Sequence, residues 1–143
     1  MREMSSMSST ASAQPQAPEM APGYAVVDLE TTGLSPSADA ILEIGLIHLD
    51  ARGEIERRWT SLVDPGPGDD GAREVGPTFI HGLTPDDVTG APRIAELADL
   101  IARDLAGRVV VAHNARFDLG FLSHALGGLG MLDADAPIPQ VCT

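Results

Sequence analysis

Asp28 and Glu30 stand two residues apart in the run Tyr24-Ala25-Val26-Val27-Asp28-Leu29-Glu30-Thr31-Thr32-Gly33, which begins apolar and ends polar. Side chains alternate faces along a strand, so the two carboxylates share one face with roughly 6.6 Å of chain between them. Val27 and Leu29 then point the other way, where a core can take them. Carboxylates this close repel unless one holds a proton or a cation lies between them. Their oxygens suit hard divalent ions, above all Mg2+ or Mn2+. Thr31, Thr32 and Gly33 leave the strand in a tight turn and offer hydroxyls and backbone N–H groups beside the acids. Taken alone, an Asp-x-Glu is more often a strand end with solvated acids. The longer run Asp28-Leu29-Glu30-Thr31-Thr32-Gly33 is more specific, and a second element downstream decides between the readings.

That element is residues 109–122, Val-Val-Val-Ala-His-Asn-Ala-Arg-Phe-Asp-Leu-Gly-Phe-Leu. A buried strand ends, the polar pair His113-Asn114 follows, and a helix begins. Asn114 is a suitable N-cap. Asp118 lies one turn in, while Phe117, Phe121 and Leu122 can pin the helix to a core. By itself, an acid in a first helical turn is often only a complement to the helix dipole.

The elements that must position these groups follow from pattern. Residues 1–23 are rich in Ser, Ala, Pro, Gln and Met without periodicity and read as a disordered tail. Residues 34–40 read as a turn, 41–50 as a second strand, 51–54 as a hairpin turn and 55–63 as a third strand. Short connections make these three strands an antiparallel meander. Residues 64–76 form a loop dense in Pro, Gly and Asp, long enough to be mobile. Thr84-Pro85-Asp86-Asp87 is a helix start, with Thr84 as cap. Residues 92–107 read as a helix with Ile94, Leu97, Ala98, Ile101 and Leu105 on one face and Gly107 closing it. Residues 108–112 are a buried strand, 114–126 a helix closed by Gly127-Gly128, and 138–143 the opening of a further strand. The helical crossover makes the strand at 108–112 parallel to the first.

The 143 residues suffice for one domain, and an apolar fraction of 43% allows a core. Aromatics make up only 3%, so that core is aliphatic. A net charge of −12 argues against a broad basic coat for nucleic acid. It leaves room for a small site where bound metal reverses the local sign. The single cysteine, Cys142, excludes an intrachain disulfide and is compatible with a reducing cytoplasm. No apolar run approaches membrane-spanning length.

The two motifs, in this order, resemble the DEDD superfamily of 3′→5′ exonucleases, which have a ribonuclease H-like fold. Asp28-Leu29-Glu30-Thr31-Thr32-Gly33 is similar to the first motif of that superfamily and His113-Asn114-Ala115-Arg116-Phe117-Asp118 to the second. His81-Gly82-Leu83-Thr84 is similar to a segment found between them in the branch containing the proofreading epsilon subunit of bacterial DNA polymerase III. The resemblance spans residues 24–143. It implies an α/β domain with a mixed five-stranded sheet in the order 3-2-1-4-5, flanked by helices. It implies metal binding by Asp28, Glu30 and Asp118, with Asp28 bridging two Mg2+ or Mn2+ ions. It implies substrate contacts from Thr31, Thr32, Gly33, His81 and Asn114. The substrate would be the 3′ end of single-stranded DNA or RNA, with DNA the expected polymer and a DNA polymerase a candidate partner in the cytoplasm. His113 is expected to support the site, His48 to lie in a strand and His124 on a helix surface. The third motif of the superfamily, carrying a fourth acid and a histidine base, is expected beyond Thr143, so this chain is expected to be a catalytically incomplete fragment. Two other function classes fit the same residues: a non-catalytic binder of nucleic-acid ends, and a protein-interaction domain on this fold.

Overall fold

The computed structural model describes residues 23–127 and 140–142. The expected tail therefore lies outside the described residues except for Gly23, as do Gly128 and residues 138, 139 and 143 of the expected last strand.

The aliphatic alternation of residues 24–62 produces three strands: β1 (Tyr24–Thr31), β2 (Ile41–Leu49) and β3 (Ile55–Leu62). β1 pairs antiparallel with β2, and β2 with β3. The β2–β3 hairpin is closed by Asp50, whose side chain accepts from the N–H groups of Arg52 and Glu54 at 2.8 and 3.0 Å. Two one-turn helices follow, α1 (Thr78–His81) and α2 (Pro85–Val88), then the longer α3 (Ile94–Leu105). Thr84 caps α2 as expected, in a reciprocal box with Asp87. α1 falls where the sequence pattern assigned no element. Its end is set by Gly82 at φ 79°, a left-handed backbone that favours glycine.

β4 (Val109–Ala112) lies parallel to β1, α4 (Ala115–Gly127) follows, and β5 (Gln140–Cys142) pairs parallel with β4. The sheet order is β3-β2-β1-β4-β5, the expected 3-2-1-4-5. α3 begins at Ile94 rather than residue 92, because Arg93 keeps extended backbone and the Glu96 carboxylate accepts the Arg93 N–H at 3.0 Å.

Both long helices cover the same face of the sheet. Ala25, Val27 and Leu29 of β1, Ile44 and Leu46 of β2 and Val110 of β4 pack with Ala98, Ile101 and Leu105 of α3 and Leu119, Phe121, Leu122 and Leu126 of α4. The side chains of opposite parity, including Val26, Asp28, Glu30, Ile47 and Val111, point to the other face and are half-buried or exposed. Alternation along the strands thus separates the core from the surface that carries the first two acids. A register shift at Glu30/Thr31 lets the neighbours Ile41 and Leu42 both be buried, Leu42 in a second cluster with Val75 and Val88.

Candidate active site

Asp28 and Glu30 occupy the open face near the carboxyl end of β1, with Asp28 exposed and Glu30 half-buried. Asp28 stands opposite Gly45, which stands opposite Thr60. Without a side chain at Gly45, the face is a trough of about 450 Å³ running from Asp28 across to Arg58 and Thr60. Glu30 stands opposite Glu43. Like charges directly across a strand pair are unfavourable.

Asp118 comes from a different element. β4 ends at Ala112, and α4 starts on the Asn114 carbonyl, which accepts the N–H groups of Phe117 and Asp118 at 3.0 and 3.1 Å. Phe117 and Phe121 meet with ring centroids 5.0 Å apart, and Phe121 and Leu122 are buried. The first turn of α4 is thereby fixed to the core, and Asp118 is held at 7% exposure. Burial pushes its carboxyl up to about 6, with the charge of Asp28 adding to the effect and His113 opposing it. Burial also raises Glu30, followed by the charges of Asp28 and Glu43, against His81. Asp28 therefore acts on both other acids, and the three share one electrostatic neighbourhood. Among the described residues, no group of three or more His, Cys, Asp or Glu is gathered tightly enough to hold an ion as it stands. The donor set is nonetheless all carboxylate, and its mutual repulsion is what a hard divalent cation relieves.

The sign of the Asp118 shift yields a test. A carboxyl held above its ordinary 3.8 binds its proton more tightly in the folded state, so stability falls as the pH rises from about 3.8 to about 6, and the full cost stands above that. Asp118→Asn is expected to raise stability at pH 7 by roughly 1–3 kcal/mol and to change it little at pH 3.5. Thermal melts at the two pH values, without added metal, check this; equal effects at both would show that charge is not the cause.

The turn after Glu30 is built from its own hydroxyls. Thr31 Oγ1 donates to the Gly33 carbonyl at 2.7 Å, and Thr32 Oγ1 donates to Asp39 Oδ1 at 3.0 Å while accepting the Ala40 N–H at 3.0 Å. His81 uses both ring nitrogens on backbone: Nε2–H donates to the Val75 carbonyl at 2.6 Å and Nδ1 accepts the Leu83 N–H at 3.0 Å. It lies near enough to Glu30 to lower that carboxyl, and the ring serves the α1 connection. His113 and Asn114 are exposed, His124 is exposed on α4, and His48 is buried in β2 on the core face. Cys142 of β5 donates its S–H to the His113 carbonyl at 3.0 Å.

Two buried acids escape pattern reading. Asp64, 4% exposed, takes Arg73 bidentately at 3.1 and 3.0 Å and also accepts the N–H groups of Gly66 and Gly90 at 2.8 and 3.1 Å. The Arg73 hydrogen bonds come first in holding its carboxyl well below the usual range. The loop at residues 64–76, expected to be mobile, is thus pinned at both ends. Asp104 is fully buried on α3 and is met by Arg57 and by Trp59 Nε1–H, the latter at 2.8 Å. A polar residue on a helix otherwise apolar on that side was the available signal for Asp104; for Asp64 there was none, because its partners are scattered through a loop.

The family profile RNase_T, described as exonuclease, matches residues 25–143. The chain belongs to the RNase_T exonuclease family. Within it, the chain is similar to DNA polymerase III subunit epsilon of Treponema pallidum (strain Nichols), 37% identical over 103 residues, covering 72% of this chain and 46% of that protein. It is also similar to the PolC-type DNA polymerase III of Bacillus cereus, 32% identical over 117 residues, covering 80% of this chain and 8% of that protein. The chain thus spans less than half the length of either relative. Exonuclease I in complex with the inhibitor BCBP shares the fold of this RNase_T domain at a TM-score of 0.70 and 19% identity, over 85% of this chain and 28% of that one.

Proposed function

We propose that this RNase_T domain removes nucleotides from the 3′ end of a single strand, DNA being the polymer, and releases nucleoside 5′-monophosphates. The observation that supports this reading is that the charge of Asp28 raises the carboxyls of both Glu30 and Asp118, so that acids from two elements lie within electrostatic reach of one another. Asp28, Glu30 and Asp118 would hold Mg2+ or Mn2+. When bound, a pair of such ions supplies Lewis acidity toward the phosphate and eases deprotonation of water. Asp28 is exposed and its charge acts on both other acids, so it would serve both ions, with half-buried Glu30 and buried Asp118 each contributing a carboxylate. The Thr31-Thr32-Gly33 turn borders these acids and would seat the terminal nucleotide, with Asn114 and the segment of His81 on its flanks.

The acidic chain favours recognition of an end at a metal centre over a basic track. Exonuclease I from E. coli, of the same fold, was solved in complex with a dA16 oligonucleotide, which supports a single strand as ligand. The names of the relatives support a DNA polymerase as partner and, with it, work in the cytoplasm. No helix among the described residues is long and apolar enough to cross a membrane. The same reading draws a fourth acid and a general base from outside residues 1–143, and turnover by this chain alone is expected to be about 10²–10⁴-fold below that of a form carrying them.

The test is release of nucleotide from a 5′-labelled single strand in Mn2+. The product ladder should shorten stepwise from the 3′ end and stop on chelation. Shortening from the 5′ end, or hydrolysis indifferent to chelator, would refute the reading. A second reading, a domain that holds an end without cutting it, draws on the three acids not closing round an ion among the described residues. It predicts retention of the strand with no release even in the extended form.

A further inference from the structure

Gly33 and Asp39 are joined in a way that neither the acids nor the comparisons assign. A Cβ placed on Gly33 would fall 2.5 Å from Asp39 Oδ2 and 2.7 Å from Oδ1, closer than real Cβ atoms approach such groups. Gly33 does not have the left-handed backbone found at Gly76 or Gly82, so conformational freedom is not why a side chain is excluded. The carboxylate is held in that place by Thr32 Oγ1 at 3.0 Å and by the Ser35 N–H, which donates to Oδ2 at 3.0 Å. Backbone hydrogen bonds from Thr32 N–H to the Ala40 carbonyl and from Asp39 N–H to the Ser35 carbonyl, at 2.9 and 2.7 Å, close the same loop. On the other side, Gly76 lies so near that a Cβ there would stand 2.1 Å from the Thr32 carbonyl oxygen. The turn after Glu30 is therefore clamped between Asp39 and the loop that Asp64 pins.

The hydroxyls of Thr31 and Thr32 are consumed within this turn. The N–H groups of Gly33 and Leu34 meet no backbone carbonyl among the described residues. What the turn has left for a ligand is backbone, and backbone donors are useful only where they are held still.

We propose that Asp39 is a positioning residue, whose carboxylate fills the space of the absent Gly33 side chain and holds the turn so that its N–H groups receive an oxygen of the terminal nucleotide. This rests on the reading of the site as a 3′-end binder. Asp39 touches no reacting atom and acts through Thr32 and Ser35.

A double-mutant cycle tests it. Affinity of the 143-residue chain for a fluorescent single strand with a free 3′ hydroxyl is measured in Mn2+ for the wild type, Asp39→Ala, Gly33→Ala and the double variant. Each single substitution is expected to weaken binding about 10-fold, and the double no further, because both break one unit. Asp39→Asn keeps an acceptor for Thr32 but places an amide against the Ser35 N–H, so it should fall between wild type and Asp39→Ala. Amide exchange should accelerate at Thr32 and Ala40 in Asp39→Ala, with core strands still protected. Should Asp39→Ala fail to fold, Asp39→Asn and Gly33→Ala carry the same comparison. Binding by Asp39→Ala within twofold of a wild type that does bind, or losses that multiply to about 100-fold in the double variant, would overturn the positioning role alone. A wild type that does not distinguish a free 3′ end from a 3′-phosphorylated one would overturn the end-binding reading and this proposal with it.

Discussion

Asp28→Ala is expected to lower nucleotide release by about 10³-fold or more, measured in the form carrying the full catalytic set, while leaving the melting temperature nearly unchanged. The side chain is exposed on the open face of β1, so its removal leaves no cavity and uncovers no buried partner. Its charge, however, falls on both Glu30 and Asp118. Losing it removes the one acid that both ions would share, and chemistry that depends on ion placement has little left to work with. The 143-residue chain gives a second readout that needs no turnover. Stabilisation by added Mn2+ should be present in the wild type at pH 7 and lost in Asp28→Ala. Undiminished hydrolysis by a well-folded Asp28→Ala protein would end the assignment of this acid.

Arg57→Ala should have the largest effect on stability, lowering the melting temperature by on the order of 10 °C. Arg57 and Trp59 project from β3 toward α3 and meet Asp104, which has no solvent exposure. Burial pushes the Asp104 carboxyl up, but the hydrogen bonds from Arg57 and Trp59 and the charge of Arg57 outweigh it and leave the carboxyl below its ordinary 3.8. Without Arg57, a buried carboxylate keeps only the indole N–H. Replacing the pair together, Arg57→Leu with Asp104→Leu, should recover much of the loss, since buried ion pairs exchange for apolar packing at little net cost. The depressed carboxyl also fixes the direction with pH. Its contribution is complete above the unfolded value near 3.8 and is lost as pH falls through the lower folded value. Acid unfolding below pH 4 should therefore be steeper in wild type than in the doubly substituted protein. Arg57→Ala melting within a few degrees of wild type would show that the ion pair is incidental.

What the sequence by itself determined is local or periodic. The two-residue spacing of Asp28 and Glu30 places them on one strand face, and the aliphatic alternation around them places the core on the other. The Thr84 cap, the Asp50 hairpin and the start of α4 at Asn114 likewise depend on groups within a few residues of one another. The antiparallel meander followed from short connections and the parallel pairing of β1 with β4 from a helical crossover, while the full strand order came with the resemblance to the exonuclease superfamily. Tertiary structure alone decided the rest, and in each case the reason is a partner far along the chain. The Asp118 carboxyl is raised by burial and by the charge of Asp28, 90 positions earlier, and no spacing rule reaches that distance. The loop at residues 64–76 is rich in residues that suggest mobility, yet Asp64 finds Arg73 and the Gly90 N–H and is fixed. Asp104 on the apolar side of α3 is an unexplained acid until β3 brings Arg57 and Trp59 beside it. His81 reads equally as a loop residue or a substrate contact, and only the fold shows its two ring nitrogens holding Val75 and Leu83. Gly33 reads as a turn glycine, and only the folded loop shows that the space it leaves is occupied by Asp39. A charge or hydrogen-bond partner is set by distance in space, and sequence pattern encodes that distance only where the chain between the two groups is short or regular.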